Sequence, residues 1–136
     1  MDSTKKHVIL CVDDDPEDLE LLQHALQTVG SNYLIEKAHN GEEALMRLRE
    51  MKETEDLPCL VVLDINMPRM DGKQTLVSIQ ADPVLAAVPV VIFTTSSSML
   101  DKMFFAKKNV EFITKPVSFD TFYKIASRLI SFCKCP

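Results

Sequence analysis

Leu60-Val61-Val62-Leu63-Asp64 carries four apolar residues straight into one carboxylate. Nothing in the run alternates polar with apolar. It therefore reads as a strand covered on both faces, the habit of parallel sheets sandwiched by helices. Two other runs behave alike: Val8-Ile9-Leu10-Cys11-Val12 stops at Asp13-Asp14, and Val90-Val91-Ile92-Phe93 stops at Thr94; a fourth run, Val110 to Ile113, ends near Lys115-Pro116. Strand ends in a parallel sheet lie side by side at one edge, where open α/β folds place their sites. Three carboxylates, a hydroxyl and an ammonium are thus expected to converge, in the outline of a metal-assisted phosphoryl-transfer site.

Between these runs the sequence alternates strand and helix five times. Asp15-Pro16 is a helix start, an N-cap carboxylate followed by proline at the first helical position. Glu17 and Asp18 suit the positive end of that helix. Leu19, Leu22, Leu26 and Val29 recur at helical spacing, and Gly30 stops them. Tyr33 to Ala38 reads as a short strand. Asn40-Gly41-Glu42-Glu43 opens a second helix with the spacing of a capping box, and Ala44, Leu45, Leu48 and Met51 form its stripe. After Asp64 a loop runs to Asp71-Gly72. Leu76 and Ile79 mark a third helix closed by Asp82-Pro83. Ser96 to Lys108 reads as a fourth, started by Ser96-Ser97-Ser98, with Phe104-Phe105 as one core ring and one partly exposed ring. Ser118 caps a fifth with Phe119, Phe122, Ile125, Ala126 and Leu129 inward. The pattern predicts an α/β domain, a doubly wound five-stranded parallel sheet flanked by five helices.

A chain of 136 residues fits one domain. An apolar fraction of 46% and a charged fraction of 26% suit a soluble globular protein. A net charge of −5 argues against a nucleic-acid surface. The apolar run after His7 is too short for a signal-peptide core and no stretch approaches a membrane span, so a cytoplasmic protein with neither nucleic acid nor membrane as partner is expected. Cys11 and Cys59 read as small buried hydrophobes. Cys133 and Cys135 form a C-x-C tail that is a weak metal signal beside the simpler reading of a frayed terminus. His7, His24 and His39 have no spacing for a catalytic or metal cluster.

Taken in order, Val8 to Pro16, Leu60 to Pro68 with Met70-Asp71-Gly72, Val91 to Thr94, and Phe112-Ile113-Thr114-Lys115-Pro116 resemble the receiver domain of two-component response regulators. The likeness spans residues 7–132, leaving tails at 1–6 and 133–136. It implies the flavodoxin-like (βα)5 receiver fold. It implies that Asp64 accepts a phosphoryl group from a phosphohistidine. Asp14 would bind Mg²⁺ directly, Asp13 more through water, and the backbone carbonyl of Asn66 would complete the protein ligands alongside Asp64. Thr94 and Lys115 would meet phosphoryl oxygens, and Thr94 and Phe112 would act as switch residues. A cis Lys115–Pro116 bond is expected to aim the lysine at Asp64. Two departures stand out. Phe112 occupies a position where the family often has tyrosine, and Lys107-Lys108-Asn109-Val110 lacks the Gly-Ala common before the fifth strand. The family also associates Ser96 and Asn66 with the lifetime of the phosphoryl group.

Simple electrostatics supports the assignments. Two like charges about 4 Å apart repel by roughly 4 kcal/mol at an effective dielectric of 20. Three carboxylates therefore need cations, which Mg²⁺ and Lys115 would supply. The resemblance implies a single-domain response regulator with no output domain of its own. It would be a phosphoacceptor switch rather than an enzyme, though one able to catalyse its own phosphorylation and dephosphorylation. The donor would be a histidine kinase or phosphotransfer protein, and output would pass to an unknown protein through the helix 4–strand 5–helix 5 face. The alternatives are a receiver-like binding module that works without phosphorylation, and an aspartyl-phosphate phosphatase or phosphotransferase. The latter usually has a second aspartate two residues after the nucleophile, where Asn66 stands.

Overall fold

A computed structural model describes residues 7–133. Five strands, β1 (His7–Val12), β2 (Tyr33–Ala38), β3 (Leu60–Leu63), β4 (Val90–Thr94) and β5 (Glu111–Thr114), alternate with five helices. These are α1 (Pro16–Val29), α2 (Gly41–Glu53), α3 (Gly72–Ala81), α4 (Met99–Lys107) and α5 (Phe119–Ser131), with one further 3₁₀ turn at Leu85–Ala87. The sheet runs β2-β1-β3-β4-β5 and every pairing is parallel. This is the doubly wound five-stranded fold the sequence predicts.

Alternate residues of the unbroken apolar strands go to opposite faces. Ile9, Cys11, Leu60, Val62, Val91 and Phe93 pack with Leu19, Leu22 and Leu26 of α1 and Phe122 and Leu129 of α5. Leu10, Val12, Val61, Leu63 and Ile92 pack with Leu45 and Leu48 of α2, Leu76 and Ile79 of α3, and Phe105 of α4. A strand with polar residues every second place could not satisfy both layers.

The helix starts are chemically specified. The Asp15 carboxylate accepts the amides of Glu17 and Asp18 at 3.0 and 3.5 Å, with Pro16 in the first turn. Asn40 accepts the Glu43 amide at 2.8 Å, while the Glu43 carboxylate turns to His39 at 3.2 Å, so only half of the expected box is present there. The full reciprocal box forms at Asp71 and Gln74, which opens α3. In the fourth helix Ser98 is the cap and helical geometry begins at Met99, three residues later than the serine run suggests. That helix ends with Asn109 in the left-handed region at φ 60, and the Val110 amide reaches back to the Phe105 carbonyl at 3.1 Å. Asn109 thus supplies the turn that a glycine commonly makes.

Three expectations are corrected on the helix faces and the cysteines. Val29 is 40% and Phe119 is 70% exposed, at the last position of α1 and the first of α5. Cys59 is not a free buried thiol: it is joined to Cys133 in a disulfide, leaving Cys11 as the free cysteine among the described residues. Cys133, just past the end of α5, and Cys59, just before β3, have their Cα atoms 4.8 Å apart. Cys133 is therefore anchored to the domain, and Cys135 and the tail at 1–6 lie outside the described residues.

Gly72 lets the start of α3 approach the segment that carries Asp64. A Cβ there would clash with the Asp64 carbonyl oxygen and stand 2.7 Å from the Ile65 Cα. Helix propensity favours alanine by about 1 kcal/mol, but the obstructing atoms are backbone and cannot step aside, so overpacking of about 1–3 kcal/mol outweighs it. Urea denaturation of Gly72→Ala is expected to show a net loss of stability. For the disulfide, the sequence separation of 74 predicts that Cys59→Ser loses up to about 4 kcal/mol of unfolded-state restriction. Thermal melts with and without reductant check it: reductant should lower the wild-type midpoint and leave the variant unmoved.

Candidate functional site

The register of the sheet builds the site. Val12 pairs with Ala38 on one side and Leu63 on the other, so Asp13 and Asp64 follow at adjacent strand ends. The chain leaves β1 toward β2 on one side and β3 on the other, which opens the crevice at a topological switch point. Leu63 pairs with Ile92 and Thr94 pairs with Thr114, which sets Thr94 and Lys115 along the same edge. Backbone bonds hold the rim: the Asp13 amide donates to Ala38 O and the Asp64 amide to Val12 O, both at 3.0 Å.

Asp13, Asp14 and Asp64 each offer a carboxylate oxygen, and these lie within 4.8 Å of one another. Asp13 and Asp64 are buried and Asp14 is exposed, so the cluster has a dry wall and an open mouth. Hard oxygen donors with access for retained water are the chemistry a divalent cation of the Mg²⁺ class takes. The set therefore fits a metal ion. Asn66 lies exposed on the loop two residues beyond Asp64. The Asp64 rotamer is held by its own loop, the Ile65 amide donating to Oδ1 at 2.8 Å.

Lys115 is the cation that meets these carboxylates, its side chain only 6% exposed. Its Nζ donates to Asp13 Oδ2 at 2.5 Å, Asp18 Oδ2 at 2.8 Å and Asp64 Oδ2 at 3.5 Å. Burial alone would lower the lysine pKa; the bonds to Asp13 and Asp18 and the charge of Asp64 override it and hold the ammonium above its ordinary range. Burial pushes the Asp13 carboxyl from 3.8 up to about 6, with Asp64 adding to the rise, against the lowering bonds from Lys115 and the Asp15 amide.

The expected cis bond before Pro116 is corrected: the described residues contain no cis peptide. The lysine needs none, because its own amide donates to the Thr94 carbonyl at 2.7 Å and continues the β4–β5 ladder to the site. Asp18 is the residue that sequence reading assigned to helix-end electrostatics alone. In the first turn of α1 it faces the crevice and meets Lys115, and no local pattern marks it for that role. Thr94 is fully buried and its hydroxyl accepts the Ser96 amide at 3.3 Å. Phe112 is half-buried, its ring 6.1 Å from that of Phe105. His24 and His39 stand apart, bonded to Tyr123 at 2.7 Å and Glu43 at 3.2 Å.

Residues 9–127 match the response regulator receiver domain, and the chain belongs to that family. It is similar to response regulator Rcp1 of Synechocystis sp., with 31% identity over 96% of this chain and 91% of that protein. The structure of the phosphorylated cyanobacterial phytochrome response regulator RcpA superposes with a TM-score of 0.85 at 28% identity, over 96% of this chain and 99% of that one. The Mn²⁺-bound form of response regulator Rcp1 superposes with a TM-score of 0.80 at 30% identity, over 93% of each.

The raised Asp13 pKa has a checkable sign. Between 3.8 and about 6 the folded chain without metal holds a proton that the unfolded chain has lost, so the contribution of Asp13 to stability falls as pH rises through that window. Denaturation of metal-free wild type and Asp13→Asn is expected to show the difference moving against wild type across it; a pH-independent difference would contradict the assignment. Added divalent metal at a hundredfold excess over its Kd is expected to stabilise wild type by about 2.7 kcal/mol near neutral pH.

Proposed function

We propose that this receiver is a response regulator whose Asp64 accepts a phosphoryl group from the phosphohistidine of a histidine kinase or histidine phosphotransfer protein. It works as a switch rather than a turnover enzyme. The observation that carries the reading is the convergence of the Asp64 carboxylate, two further aspartates within 4.8 Å and the Lys115 ammonium at 3.5 Å in one crevice. The phosphorylated RcpA relative and the Mn²⁺-bound Rcp1 relative lend support.

The chemistry follows from the residues. A carboxylate oxygen of Asp64 forms the new O–P bond as the P–N bond to the donor imidazole breaks, and the imidazole keeps that electron pair and takes a proton. Little covalent work falls to the protein, so positioning and charge balance dominate. The Ile65 amide holds the Asp64 rotamer. Lys115 exchanges part of its carboxylate company for a phosphoryl oxygen without leaving its place. Asp13, Asp14, Asp64 and the Asn66 carbonyl would hold Mg²⁺, whose chemistry when bound is neutralisation of the carboxylates and the phosphoryl oxygens. Thr94 would turn its hydroxyl to a phosphoryl oxygen, and the half-buried Phe112 would repack with it. The α4–β5–α5 face would then present a changed surface to a downstream protein, a population shift between two states.

Incubation with acetyl phosphate and Mg²⁺ tests the reading. Intact mass is expected to show one added phosphoryl group, absent with chelator and absent in Asp64→Asn. Equal labelling of Asp64→Asn would refute it.

A further inference from the structure

A chain of polar contacts outside the crevice joins α3 to Thr94. Lys73, the second residue of α3, places Nζ 2.7 Å from Asp101 Oδ1 in the first turn of α4. The other oxygen of Asp101 accepts the Ser96 hydroxyl at 2.7 Å. Ser96 Oγ in turn accepts the Ser98 amide at 3.2 Å, and the Ser96 amide donates to the Thr94 hydroxyl at 3.3 Å. Both carboxylate oxygens of Asp101 are thus engaged, one by Lys73 of α3 and the other by Ser96 in the loop that leaves β4.

Isolated exposed ion pairs are weak. This one differs in two respects. The Asp101 side chain is only 16% exposed. The Lys73 ammonium also stands over the Phe104 ring, 5.4 Å from its centre, a second attraction on the same head group. The Lys73 bond and the Ser96 hydroxyl, opposed by slight burial, hold the Asp101 carboxyl below its ordinary range. The loop itself has little else to hold it, since Phe105 is the one buried side chain that α4 contributes.

We propose that Lys73 and Asp101 are positioning residues that latch Ser96, and through it the Thr94 hydroxyl, in the resting arrangement, so that latch strength sets how readily Thr94 turns toward a phosphoryl group on Asp64. The proposal rests on the phosphorylation of Asp64 argued above. Residues coupled to a two-state element in this way commonly bias it without touching either ligand.

Three variants separate a latch from a plain tie between helices. Asp101→Ala removes both contacts. Lys73→Met keeps the apolar stem and removes the charge, and serves if the first variant fails to fold. The exchange of partners, Lys73→Asp with Asp101→Lys, restores the α3–α4 ion pair but leaves Ser96 without an acceptor. Two readouts are taken on each: hydrogen exchange of the amides of residues 95–98 in unphosphorylated protein, and the rate of phosphorylation by acetyl phosphate. The latch predicts faster exchange and phosphorylation faster by roughly 2- to 30-fold in both single-site variants, with the exchanged pair remaining fast. Wild-type exchange in the single-site variants, or full recovery in the exchanged pair, would overturn it. If wild type takes up no phosphoryl group, the Asp64 reading fails, and the exchange measurement, which needs none, still decides whether the latch holds the loop.

Discussion

One buried ammonium among three aspartates is the contact on which the geometry of the crevice depends. Lys115 binds Asp13 from the end of β1, Asp18 from the first turn of α1 and Asp64 from the end of β3. Carboxylates this close repel by several kcal/mol at protein-like dielectric, so without a cation the strand ends could not stay side by side and dry. A lysine stripped of water would ordinarily shed its proton, but its carboxylate neighbours keep it charged. The lysine in turn opposes, without cancelling, the rise that burial imposes on Asp13. The arrangement leaves negative charge in excess, which is the reason it suits a further cation and a phosphoryl group.

The sheet makes that contact possible by removing freedom elsewhere. β1, β3 and β4 are buried on both faces, so their register is tied to two packed layers and a one-residue slip would exchange one core for the other. With register secured, Asp13, Asp64 and Lys115 arrive at one edge by counting. Gly72 adds the last constraint, admitting the α3 terminus against the backbone of Asp64 and Ile65. The nucleophile candidate is thereby seated on rigid backbone, which phosphoryl transfer rewards because positioning supplies most of its rate.

The sequence made these rigid parts legible because each rests on a local pattern. Four-residue apolar runs announce doubly covered strands, and the residue that ends each run is the residue at the edge. What the local pattern does not show is long-range in sequence or lies at helix ends. Asp18 meets Lys115 across 97 residues, and as a helix-end carboxylate it had a sufficient local explanation. The Cys59–Cys133 pair spans 74 residues, and four cysteines alone do not reveal their partners. Phe119 and Val29 obey helical periodicity, yet each stands at a helix end and is exposed. The start of α4 was ambiguous because three successive serines can all cap. The Asp101 amide, donating to Ser98 at 3.4 Å, selects the last of them.

The same contrast between rigid and lightly held parts shows where motion belongs. The α4 helix buries Phe105 and leaves Met99, Leu100 and Met103 largely in solvent, at 68%, 75% and 49% exposure. Elements with few buried anchors open at the lowest free energy. β4 ends rigidly at the fully buried Thr94, and within two residues the chain passes into a loop held by hydroxyls and one ion pair. A change of charge at Asp64 cannot deform the packed strands without disturbing two cores. It can redirect a hydroxyl at the boundary for the loss of a hydrogen bond of about 1 kcal/mol. On the proposed reading the signal leaves through α4 for that reason: its rearrangement is energetically small.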